Sequence, residues 1–266
     1  MIPAELIDRD IAATAKDLRD QGAAFAIATV IRTAGATAGR PGDKAVLLAD
    51  GTIAQGWIGG GCVRAALKRA TARAFADRQP QLISLHPEEI LAEKGIAAGP
   101  SGDGVNYARN GCPSKGSMDI FVEPILPQPE LIVFGDAPVA HELAALASGL
   151  DWSVRTSAAD TTLPPMADGA RRMIVVATQG KGDIACLEAA LNAQAEFIAF
   201  VGSRRKFGTL SQKLRANGAD PVRLDQVQAP AGLAIDAVTP KEIALSILAQ
   251  LIQVRRHSQR DGTQDV

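Results

Sequence analysis

Leu131-Ile132-Val133-Phe134-Gly135-Asp136-Ala137-Pro138-Val139-Ala140 is the stretch that decides the fold class. Four consecutive apolar residues read as a buried strand. Gly135 permits the tight turn that follows, and the small Ala140 lets a helix beginning near Val139 pack close to that strand. A strand–turn–helix unit of this kind points the unpaired N–H groups of a helix start at the place where a phosphate would sit. Ala137 stands where a dinucleotide fingerprint has its middle glycine, and Asp136 adds a negative charge. The following strand, Trp152 to Arg155, ends without the acidic residue that would hold a ribose, so Arg155 is a candidate phosphate contact instead. The segment therefore speaks for the fold and leaves open whether it binds a phosphate-bearing ligand.

Working outward, strands and helices alternate through the second half. Strands are predicted at Trp152–Arg155, Arg172–Ala177 and Phe197–Val201, and helices at Val139–Ser148, Asp183–Leu191 and Thr209–Asn217. Helices of about ten residues between strands signal a parallel sheet with crossover helices. A Rossmann-like domain is expected over residues 130–255, after the extended linker Leu126-Pro127-Gln128-Pro129. Loops beginning at Thr178 and Gly202 would line the crevice at the carboxyl ends of its strands. Gln179, Ser203 and Arg204 thus join Gly135, Asp136 and Ala137 as candidate cofactor contacts. A last helix is predicted from Pro240, capped by Thr239, to about Gln253, with a flexible tail over 256–266.

The first half, residues 1–127, reads as a mixed α/β domain. Helices are expected over 4–19 and Val63–Phe75. Strands are expected at Ala23–Arg32, Lys44–Leu48, Thr52–Ile58, Gln81–Leu85 and Ser117–Ile125. Residues 86–104 read as a helical turn followed by a loop, and Tyr107–Gly116 as another loop. Gly59-Gly60-Gly61-Cys62 joins a strand to a helix. Bare backbone there admits a ligand, and a cysteine beside a helix N-terminus is placed to act as a nucleophile or a metal ligand. The plainer alternative is an inert cysteine in a glycine turn. Cys112 lies in the polar loop Asn110-Gly111-Cys112-Pro113, and two loop cysteines could share one soft ligand. Cys186, inside a predicted helix, reads as core. Arg32, Thr33, Arg40 and Lys44 surround the glycine-rich segment 33–43, a composition suited to an anion or to a solvated hairpin.

Composition bounds the rest. The 266 residues are 47% hydrophobic and 21% charged, which is globular, and only 4% aromatic, so small aliphatic side chains must fill the core. A net charge of −1 argues against a nucleic-acid partner. Three widely spaced cysteines suit a reducing compartment, and no segment is long and apolar enough for a membrane span, so a cytoplasmic protein is expected.

Taken together, these motifs resemble the XdhC/CoxI-type maturation factors of molybdenum hydroxylases, which serve xanthine dehydrogenase and aerobic carbon monoxide dehydrogenase. The resemblance rests on Thr29 to Gly35, Arg40 to Lys44, Gly59 to Val63, Gly111-Cys112 with Gly116-Ser117-Met118, Phe121 to Pro124, Phe134 to Ala140, Phe200 to Lys206, Pro230 to Leu233 and Thr239 to Ala249. It implies a helper that binds the molybdenum cofactor, a pterin, protects it during sulfuration and passes it to the apo molybdenum hydroxylase. A cysteine desulfurase or other maturation proteins would be further partners, and a homodimer is the candidate assembly. Carried over, Cys62 and Cys112 become the candidates for handling sulfur or metal, in catalysis or as ligands. Gly59, Gly60 and Gly61 would admit the cofactor or a nucleotide. Arg64, Ala137, Pro138, Gln179 and Pro113-Ser114-Lys115 depart from the family pattern and fit a specialised branch. Carbon monoxide dehydrogenase, with its sulfur-bridged molybdenum–copper centre, would give the two cysteines a Cu(I) ion to hold. The alternatives are a redox enzyme that uses FAD or NAD(P) to reduce a metal or persulfide, and a docking scaffold without catalysis.

Overall fold

The computed structural model describes residues 4–102, 104–113, 115–166 and 169–260. The chain divides into two compact α/β units, the first running to Pro127 and the second beginning at Gln128, with Gly169 packing back on the first. Gly169 accepts a hydrogen bond from Arg78 Nη2 at 2.9 Å there.

The first unit is built from α1 (Ala4–Asp20), β1 (Phe25–Ala34), β2 (Lys44–Leu48), β3 (Ile53–Gly56), α2 (Gly61–Asp77), β4 (Gln81–His86), α3 (Glu88–Glu93), β5 (Gly99–Pro100), β6 (Val105–Arg109) and β7 (Ser117–Ile125). Its seven strands form one sheet in the order β3-β2-β1-β7-β4-β6-β5. β4 and β6 run parallel, whereas β1 and β4 each pair antiparallel with β7. The two-residue period of β1 sorts its side chains between two layers. Phe25 and Ile27 pack with Ile11 and Ala15 of α1, while Ala26, Ala28 and Val30 pack with Ala66, Leu67, Ala70 and Ala74 of α2. Alanines on both α2 and β1 account for a core with so few aromatics.

Two expectations are corrected here. Val105–Arg109, half of it assigned to a loop, is strand β6, because its backbone continues the ladder beside β4. The helical turn expected within 86–104 is α3, but the loop expected after it holds the short edge strand β5.

The second unit contains β8 (Glu130–Phe134), α4 (Pro138–Ser148), β9 (Ser153–Ser157), β10 (Arg172–Val176), α5 (Asp183–Asn192), β11 (Phe197–Phe200), α6 (Arg204–Ala216), α7 (Pro221–Asp225) and α8 (Pro240–Arg260). Its four strands are parallel, in the order β11-β10-β8-β9. Leu131 and Val133 meet α4 and α8 on one face, and Ile132 and Phe134 meet α5 and α6 on the other. Burial on both faces is why β8 is an unbroken apolar run.

Here too the elements differ from expectation at two places. α6 begins at Arg204 rather than near Thr209, since Ser203 Oγ accepts from the Lys206 N–H and caps it. α8 continues to Arg260, through residues assigned to a tail. Arg171 Nη1 donates to the Arg255 carbonyl at 2.7 Å, and the Arg255 guanidinium lies 5.0 Å from the Trp152 ring centroid. Residues 261–266 of that expected tail lie outside the described residues.

Candidate functional site

β1, β4 and β6 end, and β7 begins, at one edge of the first sheet. The antiparallel and parallel pairings fix this edge, and three loops meet there. A β-carbon on Gly39 would sit 2.4 Å from the Ile58 carbonyl oxygen and 2.9 Å from Met118 Cε, so the 35–43 loop lies against the segment that leads into α2. Ala36 forms a bridge with Lys115, which ties the same loop to the one carrying Cys112. Cys62 is the second residue of α2 and is exposed, as is Cys112. Cys62 Sγ lies 3.7 Å from where a β-carbon on Gly111 would be, so the two cysteine-bearing segments touch.

The Cys112 turn is held from several sides. Its N–H donates to Asn110 Oδ1 at 3.1 Å, and its carbonyl accepts from the Lys115 N–H at 3.0 Å. Asn110 donates from its side chain to the Gly116 carbonyl and from its backbone to the His86 carbonyl. Gly60 and Gly61 have open space where a β-carbon would be, and neither has a positive φ. Packing and backbone conformation therefore place no demand for glycine at these two positions.

Behind this edge runs a buried polar chain that the sequence did not suggest. Asp119 accepts from Arg32 Nε at 2.7 Å and from Ser84 Oγ at 2.5 Å. Ser84 Oγ lies 2.9 Å from His86 Nε2, and His86 Nδ1 lies 2.9 Å from Ser117 Oγ. Because the Ser84 proton goes to the carboxylate, His86 Nε2 must carry a proton and donate, and Nδ1 accepts from Ser117. Burial, reinforced by the charges of Lys94 and Arg32 against the pull of Asp119, pushes the His86 imidazole below its ordinary value of 6.5. The chain borders a cleft of about 390 Å³ lined by Arg32, Thr33, His86, Lys94 and Ser117. Alternate polar residues on β4 (Ser84, His86) and β7 (Ser117, Asp119) were the available signal, but only the strand register brings them together.

Of the expected anion cradle, Arg32 is thus committed to Asp119, with Thr33 beside it. Arg40 is exposed in a turn closed by its N–H donating to Asp43 Oδ2, and Lys44 sits within β2 opposite Thr29.

In the second unit the strand order reverses between β8 and β10, and a cleft of about 590 Å³ opens at their carboxyl ends. Gly135, Asp136, Ala137, Thr156, Ser157, Thr178, Gln179, Lys181 and Gly182 are among its walls, so four of the expected contacts gather there. Gly135 has φ +110°, and a β-carbon on it would lie 2.4 Å from the Ala177 carbonyl oxygen. Asp136 is exposed and pairs with His141 at 2.7 Å. Pro138 at the start of α4 removes one N–H that a phosphate would use.

Ser203 and Arg204 are not among the lining residues, because they start α6. From the first turn of that helix Lys206 reaches Asp183 at 2.7 Å. Burial works against the Asp183 charge, but hydrogen bonds from Lys206 and Thr178 and the Lys206 charge outweigh it, holding the carboxyl below its ordinary value of 3.8. Arg155 points to Glu130, 3.6 Å away, and not into the cleft. Cys186 is buried at the cleft floor, as core.

Among the described residues no group of three or more His, Cys, Asp and Glu could hold a metal ion, and no helix is long and apolar enough to cross a membrane. The soft donors on the two touching segments are the Cys62 and Cys112 thiols.

Comparison with known proteins adds the following. A profile described as the XdhC Rossmann domain matches residues 131–251, and one described as the XdhC and CoxI family matches residues 18–86. The chain is 27% identical to a protein of Escherichia coli (strain K12) called uncharacterized protein YqeB, over 92% of this chain and 46% of that one. It thus spans about half the length of that relative. A crystal structure described as a xanthine dehydrogenase from Bacillus halodurans aligns over 97% of this chain and 96% of the other, with 19% identity and a TM-score of 0.41.

Proposed function

The chain belongs to the XdhC and CoxI family, and from that premise we propose that it is an accessory protein in the maturation of a molybdenum hydroxylase. Its cargo is the molybdenum cofactor, or that cofactor's sulfur or copper. Cys62 and Cys112 receive it, and the client apoenzyme takes it on. The observation that carries this reading is the contact between the two cysteine-bearing segments at the edge of the first sheet where β1, β4 and β6 end.

Two exposed thiols on adjoining, well-tied segments suit a soft, thiophilic cargo, which here includes a sulfur-bridged centre or Cu(I). Carbon monoxide dehydrogenase is the client that would need copper. Gly60 and Gly61 let the cargo approach the backbone, and the Asp119–Ser84–His86–Ser117 chain holds the strand ends on which the loops are mounted. A cysteine desulfurase is the partner class that would supply sulfur.

A second reading, a redox enzyme using FAD or NAD(P), draws on the second unit's cleft, which sits where open parallel sheets bind nucleotides. Asp136 and Pro138 count against a pyrophosphate there.

The test is metal analysis of protein purified without a chelating tag, with mass spectrometry of whatever denaturation releases. A pterin, molybdenum or copper bound in proportion to the chain is the expected result. A flavin or nicotinamide with none of these would replace the first reading by the second.

A further inference from the structure

We propose that the first unit carries an anion subsite, a groove between α2 and β6 that takes the phosphate monoester of an elongated ligand whose soft end lies at Cys62 and Cys112. The proposal relies on the cargo reading only for what occupies the soft end.

The groove holds about 340 Å³ and is bordered by Ala66, Arg69, Ala70 and Arg73 on α2, and by Asn106 to Arg109 with Gly99 on the sheet side. On a helix these α2 positions share one face with Cys62, at steps of three and four residues. At 1.5 Å per residue, Arg69 and Arg73 stand about 10 and 16 Å along the axis from Cys62. The opposite wall runs along β6 and, after Ala108 and Arg109, enters the loop to Cys112. Both walls therefore lead to a cysteine.

The charge of α2 is unusual for its direction. Arg64, Lys68, Arg69 and Arg73 crowd the helix, its only acid is Asp77 at the end, and its first turn has none. Arg64, in the first turn, adds like charge to an already positive helix N-terminus, whereas Arg69 and Arg73 lie further along the helix. Arg69 and Arg73 are also four residues apart, a spacing at which like charges oppose helix formation. An anion between them would relieve that repulsion.

Arg73 is preset for such a ligand. It donates to Asn106 Oδ1, and Asn106 in turn donates to Gln81 Oε1 at 2.8 Å. Among the described residues Arg69 has no hydrogen-bond or ion-pair partner of its own. Arg109 borders the groove as well, with its guanidinium paired to Glu88 at 3.1 Å. Small side chains keep the space open: Ala66, Ala70 and Ala108 line it, and a β-carbon on Gly99 would meet nothing within 4 Å. Two planar guanidinium groups match the oxygens of one phosphate. The volume suits a single phosphorylated side chain and not a polymer.

The test titrates the full-length chain with a pterin bearing a side-chain phosphate monoester, and with the same pterin after phosphatase treatment, at constant ionic strength. The phosphorylated form should bind at least about tenfold tighter, inorganic phosphate should compete, and chloride should not. Arg69→Gln with Arg73→Gln should erase the preference while the thermal melt stays in place. The single Arg69→Gln variant should reduce it if the double variant folds poorly. Equal affinity for the two pterins, or a preference that survives both arginine variants, would overturn the subsite. The Cys62→Ser, Cys112→Ser double variant separates the two proposals. Retained phosphate preference there supports the subsite whatever becomes of the soft cargo, and loss of the preference only on removing the thiols counts against a separate subsite.

Discussion

The two sheets of this chain each collect glycines and polar side chains at one edge, yet the glycines do different work. In the second unit Gly135 is required by the fold: its φ is +110°, and the end of β10 occupies the space where a side chain would go. In the first unit Gly60 and Gly61 meet no such demand. A glycine that packing explains says little about a ligand. A glycine that packing does not explain, next to an exposed cysteine, points to something outside the chain. The charges follow the same division. Asp183 and Lys206 neutralise each other beside the second cleft, and Asp136 pairs with His141 at its mouth. In the first unit Arg69 keeps its charge free toward the α2 groove.

Substitutions sharpen this contrast, and the largest effect is expected at Gly135. Gly135→Ala must accept both a left-handed backbone and a clash with the Ala177 carbonyl, and should cost about 3 kcal/mol, read as a lower denaturation midpoint. A melt within error of the wild type would show that the second unit's glycine is not structural. Asp119→Ala comes next, because it takes the acceptor from the buried Ser84 hydroxyl in the first unit. A loss of about 2 kcal/mol is expected, with Asp119→Asn milder. Gly61→Ala should do the opposite and raise stability slightly, by less than the roughly 0.5–1 kcal/mol of a mid-helix exchange, while weakening cargo binding at the thiols. If it binds cargo like the wild type, the contrast between the two kinds of glycine fails.

Acid should divide the units in a milder way. The folded state lowers the His86 value, so between that value and 6.5 the unfolded chain binds more protons. The first unit's stability is therefore whole above pH 6.5 and falls as pH drops through it. Asp183 is also lowered, but from 3.8, so its contribution to the second unit persists until the pH falls below that. Hydrogen exchange at pH 5 should show protection lost first around β4 and β7. Earlier loss around α5 would reverse the assignment.

The second unit was largely legible because a sheet covered on both faces writes itself as apolar runs, as at Leu131–Phe134 and Arg172–Val176. The errors there were local. Arg204-Arg205-Lys206 looked like a loop because the first turns of α6 bury little, and Leu210 and Leu214 are its buried residues. Ser203 as a cap was the signal to use. In the first unit Val105–Arg109 escaped notice because β6 lies near the sheet edge and carries Asn, Tyr and Arg. Cys62 and Cys112 could be singled out as candidates, but they are far apart in sequence, and the contact of Cys62 with Gly111 depends on the crossing of α2 and the β6–β7 loop. The Asp119–Ser84–His86–Ser117 chain depends wholly on register, which no single strand encodes.

The central claim is that Cys62 and Cys112 act as one site. It is tested most directly by competitive titration of Cu(I) into the reduced protein, its two single Cys→Ser variants and the double variant. One Cu(I) per wild-type chain, with either single substitution weakening binding by at least about a hundredfold and the double variant abolishing it, is the expected result. Full stoichiometry in the double variant, or single variants that bind like the wild type, would contradict it.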